Sequence, residues 1–295
     1  MKIVFIGVGK MGLPMAQHLL AMQPAAELRV FDLDESRRFE ASSAGLNVID
    51  SVLELNKALA LAECVCSSLP HDGALLSVGE WVAEHAKAGA LFLDTSTVSM
   101  QASAQVAELM SKRGVDYLRV TVSGNNHMAQ EAKLTIMCSG PRTRFESAKP
   151  IFDRWGSKHF YLGEGEQSRL MKLVVNLLIV QTSAMLAEGL TLGQKGGLDW
   201  AQMWQVISES AVGSPIIKAK SQQLGKPLEE RDFTPTFTVP QMLKDLSLML
   251  DAGRALHVPL MQTAMTEQWM HAAIAHGDAQ EDYATVIKVI ERMSQ

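Results

Sequence analysis

The stretch GEGEQSRLMKLVVNLLIVQTSAMLAEGLTLG, residues 163–193, decides how the chain is organised. It has no proline, and its glycines lie near its two ends. Leu170, Met171, Leu173, Val174, Leu177, Leu178, Val180, Met185 and Leu186 cover almost the whole circumference of the helix it predicts. A helix apolar on all sides is expected to be buried, in a large core or in a membrane. The unbroken apolar runs fall short of the ~18 residues a bilayer span needs, so a core is the expectation. Lys172 and Asn176 interrupt the most apolar part four residues apart, hence on one face about a turn from each other. Lysine is almost never fully buried without a partner, so the pair reads as chemistry and the helix as the post that carries it. The competing reading is a snorkelling lysine and an amide bonded to backbone.

N-terminal to this helix the chain alternates strand and helix. Residues 2–6 are a short apolar run, followed by Gly7-Val8-Gly9-Lys10-Met11-Gly12 and a helical stretch, residues 13–22. A GxGxxG between strand and helix is the context of a dinucleotide site, so Gly7, Gly9, Lys10, Met11 and Gly12 are cofactor-binding candidates. The first glycine permits the tight turn, the second admits the pyrophosphate and the third lets helix and strand pack. The anion is expected on the helix N-terminus, with Pro14 in the first turn, where its missing N–H costs little. The second strand, residues 28–31, runs into Asp32, twenty residues beyond Gly12. An acid there accepts from the ribose hydroxyls and repels a 2′-phosphate, which favours NAD over NADP. Arg37 and Arg38 read as a solvated helix face.

Further strands are expected at 63–68, 90–93, 116–122, 134–138 and 159–162, with helices at 50–59, 72–85, 99–110 and 142–155. This alternation predicts a parallel sheet with helices on both faces. Ligands of such sheets lie at the carboxyl ends of the strands, where Leu69-Pro70 and Ser96-Thr97 fall. The segment opening with Ser123-Gly124-Asn125-Asn126-His127 reads as a loop. After the long helix the chain is helical throughout, with helices at 200–209, 214–223, 240–256, 259–275 and 282–293. Pro240 and Pro259 suit the first position of their helices. The chain is therefore read as α/β: a Rossmann-type doubly wound sheet, residues 1–163, and an all-α substrate and oligomerisation domain, residues 164–295, joined by the long interdomain helix.

Its 295 residues suffice for two cores. At 47% hydrophobic, 20% charged and a net charge of −5, it reads as an ordinary soluble protein with no basic tract, so neither nucleic acid nor a membrane is an expected partner. The first apolar run is too short for a secretory leader. Cys64, Cys66 and Cys138 lack metal-ligand spacing and read as reduced core thiols of a cytoplasmic protein, and no metal is expected. The methionines of the second half, among them Met242, Met249 and Met261, read as adaptable core or subunit interface, and a homodimer or homotetramer is expected.

Several motifs in order resemble the β-hydroxyacid dehydrogenase family, which includes 3-hydroxyisobutyrate dehydrogenase, tartronate semialdehyde reductase and, more distantly, 6-phosphogluconate dehydrogenase. Residues 7–16, GVGKMGLPMA, resemble its opening signature. Asp94-Thr95-Ser96-Thr97 resembles its D-x-S-T, Val122-Ser123-Gly124 its V-S-G-G substrate loop, and Leu134-Thr135-Ile136-Met137 the strand after it. Residues 163–176 resemble its G-x-G entry and K-x-x-N-N, and Leu243-Lys244-Asp245-Leu246 its K-D-L. The resemblance implies Lys172 as general acid/base and Asn176 as its substrate-binding companion. It implies Ser123, Gly124, Asn125 and Lys244 at the substrate, and Leu69, Pro70, Thr97 and Lys244 at the cofactor. Asn125 replaces the second glycine of the loop, Thr121 a proline, Arg119 an aspartate and Val175 the first asparagine of the pair.

The chemistry this implies is NAD-dependent oxidation of a small β-hydroxy acid, 3-hydroxyisobutyrate-like, to a semialdehyde or keto acid. The cofactor supplies the hydride acceptor and the protein position and proton transfer. A lysine ammonium titrates near ~10.4; burial and a positive nicotinamide ring would lower that toward a useful base. Ser123 and the N–H groups of Gly124 and Asn125 can hold the carboxylate, and His127 is a further candidate contact. The alternatives are an NADPH-dependent semialdehyde reductase, an enzyme of a sugar acid suited to Asn125-Asn126-His127, and a non-catalytic dinucleotide-binding sensor. Lys172 argues against an imine reductase.

Overall fold

The structure is a computed structural model that describes residues 1–22 and 27–295. It divides into two compact units, Met1–Lys172 and Leu173–Gln295. In the first, seven strands form one sheet: β1 (Lys2–Ile6), β2 (Glu27–Phe31), β3 (Cys64–Ser67), β4 (Leu91–Asp94), β5 (Asp116–Ser123), β6 (Thr135–Ser139) and β7 (Lys158–Tyr161). Their order is β2-β1-β3-β4-β5-β6-β7. The helices of this unit are α1 (Gly12–Leu19), α2 (Glu35–Ser43), α3 (Val52–Leu61), α4 (Asp72–His85), α5 (Met100–Lys112), α6 (Asn126–Gln130) and α7 (Arg142–Phe152), and α8 (Gln167–Lys195) begins in it. Strands buried on both faces explain the continuous apolar runs. Ile3, Phe5, Cys64, Cys66, Leu93, Val120 and Cys138 pack on one face with Met15, Leu19 and Trp155. Val4, Ile6, Val65 and Phe92 pack on the other with Leu55, Leu59, Val82 and Val106. The three thiols are free and buried.

The fully parallel sheet expected from the alternation is corrected in one place. β5 and β6 pair antiparallel, Thr121 opposite Met137. A parallel neighbour needs a crossover of a dozen or more residues, and the segment between these strands is too short for one. That segment is not a plain loop either, because it contains the single turn α6.

The second unit carries the rest of α8 and α9 (Trp200–Glu209), α10 (Pro215–Ala219), α11 (Ser221–Leu224), α12 (Val239–Ala255), α13 (Met261–Ala275) and α14 (Val286–Met293). The helix expected over 214–223 is broken into α10 and α11 at Lys220, whose Nζ is drawn to Asp282 at 2.5 Å. Pro259 precedes α13 rather than opening it, whereas Pro240 lies in the first turn of α12, inside a capping box of Thr238 and Gln241. Asp282 caps a 3-10 turn, Tyr283–Thr285, ahead of α14.

The expectation that α8 is buried all round also needs correction. Leu173, Val180, Ala184, Ala187 and Leu190 are buried, but Met171, Val174, Leu178, Met185 and Leu192 are exposed. Both stripes are apolar, so composition could not separate them. By length and hydropathy α8 passes for a membrane span, and 44% of its most apolar window is buried inside the protein.

Candidate active site

The order β2-β1-β3 places the point where the winding reverses between β1 and β3, and a ligand crevice forms outside such a point. Gly7 (φ +88°) leaves β1 there, its N–H donating to Phe31 O at 2.8 Å. A Cβ on Gly7 would lie 2.4 Å from Ser68 O, and one on Gly12 would lie 1.9 Å from Gly7 O. Close chain packing therefore forces both glycines. Gly9 is different: a Cβ there would meet nothing within 4 Å. Protein packing does not demand its bareness, and the open space beside it leaves room for a pyrophosphate against the backbone. Met11 stands at the N-cap of α1, where its side chain cannot satisfy the free N–H groups as Ser or Asp would. Lys10 is exposed on the turn.

Asp32 closes the crevice. Its carboxylate accepts from Val8 N at 2.9 Å and Asp34 N at 3.0 Å, which fixes it at the end of β2. Arg37 pairs with Glu40 on the surface as expected. Arg38 does not stay on a solvated face: its Nη1 donates to Asp32 O at 2.8 Å and Leu33 O at 3.1 Å.

The ends of β3 and β4 meet beside this turn. Leu69 N donates to Ser96 Oγ at 2.8 Å, which sets Leu69-Pro70 next to Ser96-Thr97. Beneath them Asp94 is fully buried and accepts from Ser67 Oγ at 2.5 Å and Ser96 Oγ at 2.6 Å. Its other oxygen accepts from Arg169 Nη2 at 2.5 Å.

Lys172, on α8, donates from Nζ to Val122 O at 2.8 Å. Val122 is followed by Ser123 and Gly124, so the structure sets the ammonium at the start of the substrate-loop motif. Gly124 has φ +142°, and a Cβ on it would sit 2.7 Å from Leu134 Cδ2. Asn125 has a local task, since its Oδ1 caps α6 by accepting from Met128 N at 3.0 Å. His127 lies 3.3 Å from Glu131, with 74% of its side chain exposed. Arg119 and Thr121 face the start of α8 instead of the loop. Arg119 Nε donates to Glu166 at 2.8 Å, and Thr121 N donates to Ser168 Oγ at 3.2 Å, a bond that a proline at 121 could not make.

In the second unit Asn176 is buried, and its Nδ2 donates to Asp245 Oδ2 at 2.6 Å. Lys244 Nζ lies 3.2 Å from Asp245 Oδ1. Asp245 itself is 1% exposed. Sequence reasoning quoted it within the K-D-L motif but gave it no task. It also passed over Arg169, although a charge three residues before Lys172 in an apolar helix was a usable signal.

Residues 2–163 match the NAD binding domain of 6-phosphogluconate dehydrogenase, and residues 166–290 match the NAD-binding family of NADP-dependent 3-hydroxyisobutyrate dehydrogenase. The chain is 33% identical to 2-(hydroxymethyl)glutarate dehydrogenase of Eubacterium barkeri, over 99% of this chain and 96% of that one. It is 26% identical to 2-hydroxy-3-oxopropionate reductase of Escherichia coli K12, over 100% and 98% of the two chains. Among solved structures, 3-hydroxyisobutyrate dehydrogenase of Mycobacterium tuberculosis with L-serine superposes with a TM-score of 0.87 at 26% identity, covering 98% of each chain. With the glycine turn, the winding reversal and matches along nearly its whole length, the chain belongs to the β-hydroxyacid dehydrogenase family of NAD(P)-dependent oxidoreductases.

Proposed function

We propose that the protein oxidises a small β-hydroxy acid, 3-hydroxyisobutyrate-like, to its semialdehyde or keto acid with NAD, and that Lys172 is the general acid/base. One observation carries the reading: Lys172 Nζ, part-buried, lies 2.8 Å from Val122 O, next to Ser123 and Gly124. In this reading Ser123 and the N–H groups of Gly124 and Asn125 hold the substrate carboxylate, and the Asn125 side chain is left to its cap. Lys172 takes the hydroxyl proton during oxidation and returns it to the carbonyl oxygen in reduction. Asn176, oriented by Asp245, binds the substrate oxygen, and Lys244 serves substrate and cofactor. The bound nicotinamide supplies the hydride acceptor. Gly7, Gly9, Lys10, Met11 and Gly12 hold its pyrophosphate, Asp32 its ribose, and Leu69, Pro70 and Thr97 line the strand ends. Residues 1–163 are the dinucleotide domain and 164–295 the substrate and oligomerisation domain. The exposed apolar stripe of α8 supports a homodimer or homotetramer.

A second reading, an NADP(H)-dependent oxidoreductase of a semialdehyde or a sugar acid, draws support from Arg38, whose guanidinium curls onto the end of β2 where an arginine accommodates a 2′-phosphate. Against it, the Asp32 carboxylate is fixed at the same edge. The test is a panel of acids, 3-hydroxyisobutyrate, 2-(hydroxymethyl)glutarate and threonate, with NAD⁺ or NADP⁺ and read by reduced-cofactor absorbance. It is run on the wild type and on Asp32→Ala. Faster turnover with NAD⁺, and a preference that narrows in the variant, are expected. Cofactor binding without turnover on any acid would favour the sensor, and an unchanged NAD/NADP ratio would remove Asp32 from the ribose site.

A further inference from the structure

We infer that Arg169, locked to Asp94, is a positioning residue that ties the turn of α8 carrying Lys172 to the ends of β3 and β4. The inference rests on Lys172 as the acid/base. Arg169 is fully buried and all five of its N–H donors have somewhere to go. Nε reaches Ser103 Oγ at 3.2 Å, and Nη1 reaches Ser96 O at 2.6 Å and Asp94 O at 3.5 Å. Nη2 reaches Asp94 Oδ2 at 2.5 Å and Tyr117 Oη at 2.9 Å. Desolvation works against the charge, but the Tyr117 hydroxyl and the Asp94 carboxylate outweigh it and hold the guanidinium above its ordinary value.

Stability alone does not call for this arrangement, since a buried ion pair can often be replaced by apolar side chains at little loss. Apolar packing, however, leaves a helix free to turn slightly about its axis. The planar fork, bonded to α5, β4 and β5 at once, does not. Lys172 lies three residues on, an adjacent position on the helix surface. With the Cα about 2.3 Å off the axis and a long side chain beyond it, each 10° of helix rotation would move Nζ on the order of 1 Å. A shift of about 1 Å at a reacting group can cost ~10²-fold in rate. The same carboxylate binds Ser67 and Ser96, and Ser96 Oγ accepts from Leu69 N. One node thus sets the proton-transfer group and the strand ends that face the cofactor.

The charges add a signature that packing would not. The charged or titratable neighbours of Arg169 are Asp94 from β4, Tyr117 from β5, the buried Cys138 thiol from β6 and, by longer-range attraction, Glu166 from the segment leading into α8. Glu166 is itself paired to Arg119 of β5. Removing one member of the central pair leaves the other as a bare buried charge behind the turn that carries Lys172, and the sign depends on which is removed. In Arg169→Met the lone Asp94 favours the Lys172 ammonium; in Asp94→Asn the lone guanidinium disfavours it.

The test is the pH profile of kcat/KM for acid oxidation, with kcat, KM and NAD⁺ affinity measured separately. In Arg169→Met, kcat should fall at least ~10-fold and the midpoint of the ascending, acid-side limb, where Lys172 loses its proton, should rise by at least about half a pH unit. In Asp94→Asn the midpoint should fall. Arg169→Lys, which keeps the charge but not the fork, should leave the midpoint near wild type and still lose kcat. Wild-type kcat, or midpoints moving the same way in both charge variants, overturns the proposal. Should those variants fail to fold, Tyr117→Phe and Ser103→Ala carry the test. Lower kcat at unchanged KM supports positioning, and wild-type kcat in both overturns it. If Lys172→Ala turns over normally, the functional reading falls first. If Lys172→Ala is dead and the Arg169 and Asp94 variants match wild type, only the positioning role falls.

Discussion

In Met1–Lys172 the candidate site groups are held mostly by backbone, whereas in Leu173–Gln295 they are held by other side chains. Lys172 is pinned by the Val122 carbonyl, Asp32 by the Val8 amide, and Leu69 presents its own N–H to Ser96. Asn176 instead donates to the Asp245 carboxylate, beside which Lys244 also lies. Lys172 is held by a backbone carbonyl at the carboxyl end of β5, in a part-buried bond, and the loss of that bond strands no charged or amide side chain. Deleting a side chain that holds another inside a helical core leaves that partner buried alone. The orphaned group costs about 1–3 kcal/mol.

This contrast predicts different symptoms from the two halves. Lys172→Ala should lower kcat at least ~10²-fold, the lower end of what general acid–base groups contribute, while the thermal midpoint stays close to wild type. Lys172→Arg should not rescue it, because a guanidinium does not deprotonate. Near-normal turnover in either variant would end the proposed role. Asp245→Ala should give the mixed symptom. Loss of Asn176 orientation should lower kcat by about tenfold, and the stranded, buried Asn176 amide should lower the unfolding free energy by about 1–3 kcal/mol. Calorimetry together with turnover decides: a stable Asp245→Ala, or a Lys172→Ala that unfolds early, would erase the distinction between the halves.

The same contrast governs what could be read from the residues alone. Gly7, Gly9 and Gly12 lie within one turn and Asp32 follows at the end of the next strand, so their spacing announces them. The strands of the sheet followed from their apolar runs for the same reason. The partner of Asn176 lies 69 positions away, and no periodicity links the two. The antiparallel β5–β6 pair was hidden because periodicity marks strands but not their direction; only the short connection carried that information. In Asn125-Asn126-His127 the sequence shows a polar loop but not its local bonds: Asn125 Oδ1 caps a short helix and His127 lies beside Glu131, in a turn not recognised as helical. Arg119 and Thr121, departures from the family pattern, take their meaning from Glu166 and Ser168 across the fold.

The smallest effect probes the cores behind the two sites. Burial pushes the Cys138 thiol, on β6, up to about 12 from an ordinary 9.0. Cys66 is also raised, first by its contact with Cys64 and then by burial. In the helical unit, desolvation lowers Lys220, opposed by Asp282. These shifts have opposite consequences. A thiol raised in the fold ionises first in the unfolded chain, so its contribution is complete below pH 9.0 and is lost as pH rises toward about 12. A lysine lowered in the fold carries a cost while it is protonated, and that cost fades as pH climbs toward its unfolded value of 10.5. Between about pH 8.5 and 10, before free phenols ionise, the thiols of the sheet should therefore make stability fall. Denaturant melts across that window should show a decline of up to ~1.4 kcal/mol per pH unit for each thiol. Cys138→Ala, whatever packing it loses, should show a flatter slope than wild type. Identical slopes would mean that the thiol is not desolvated as the sheet places it.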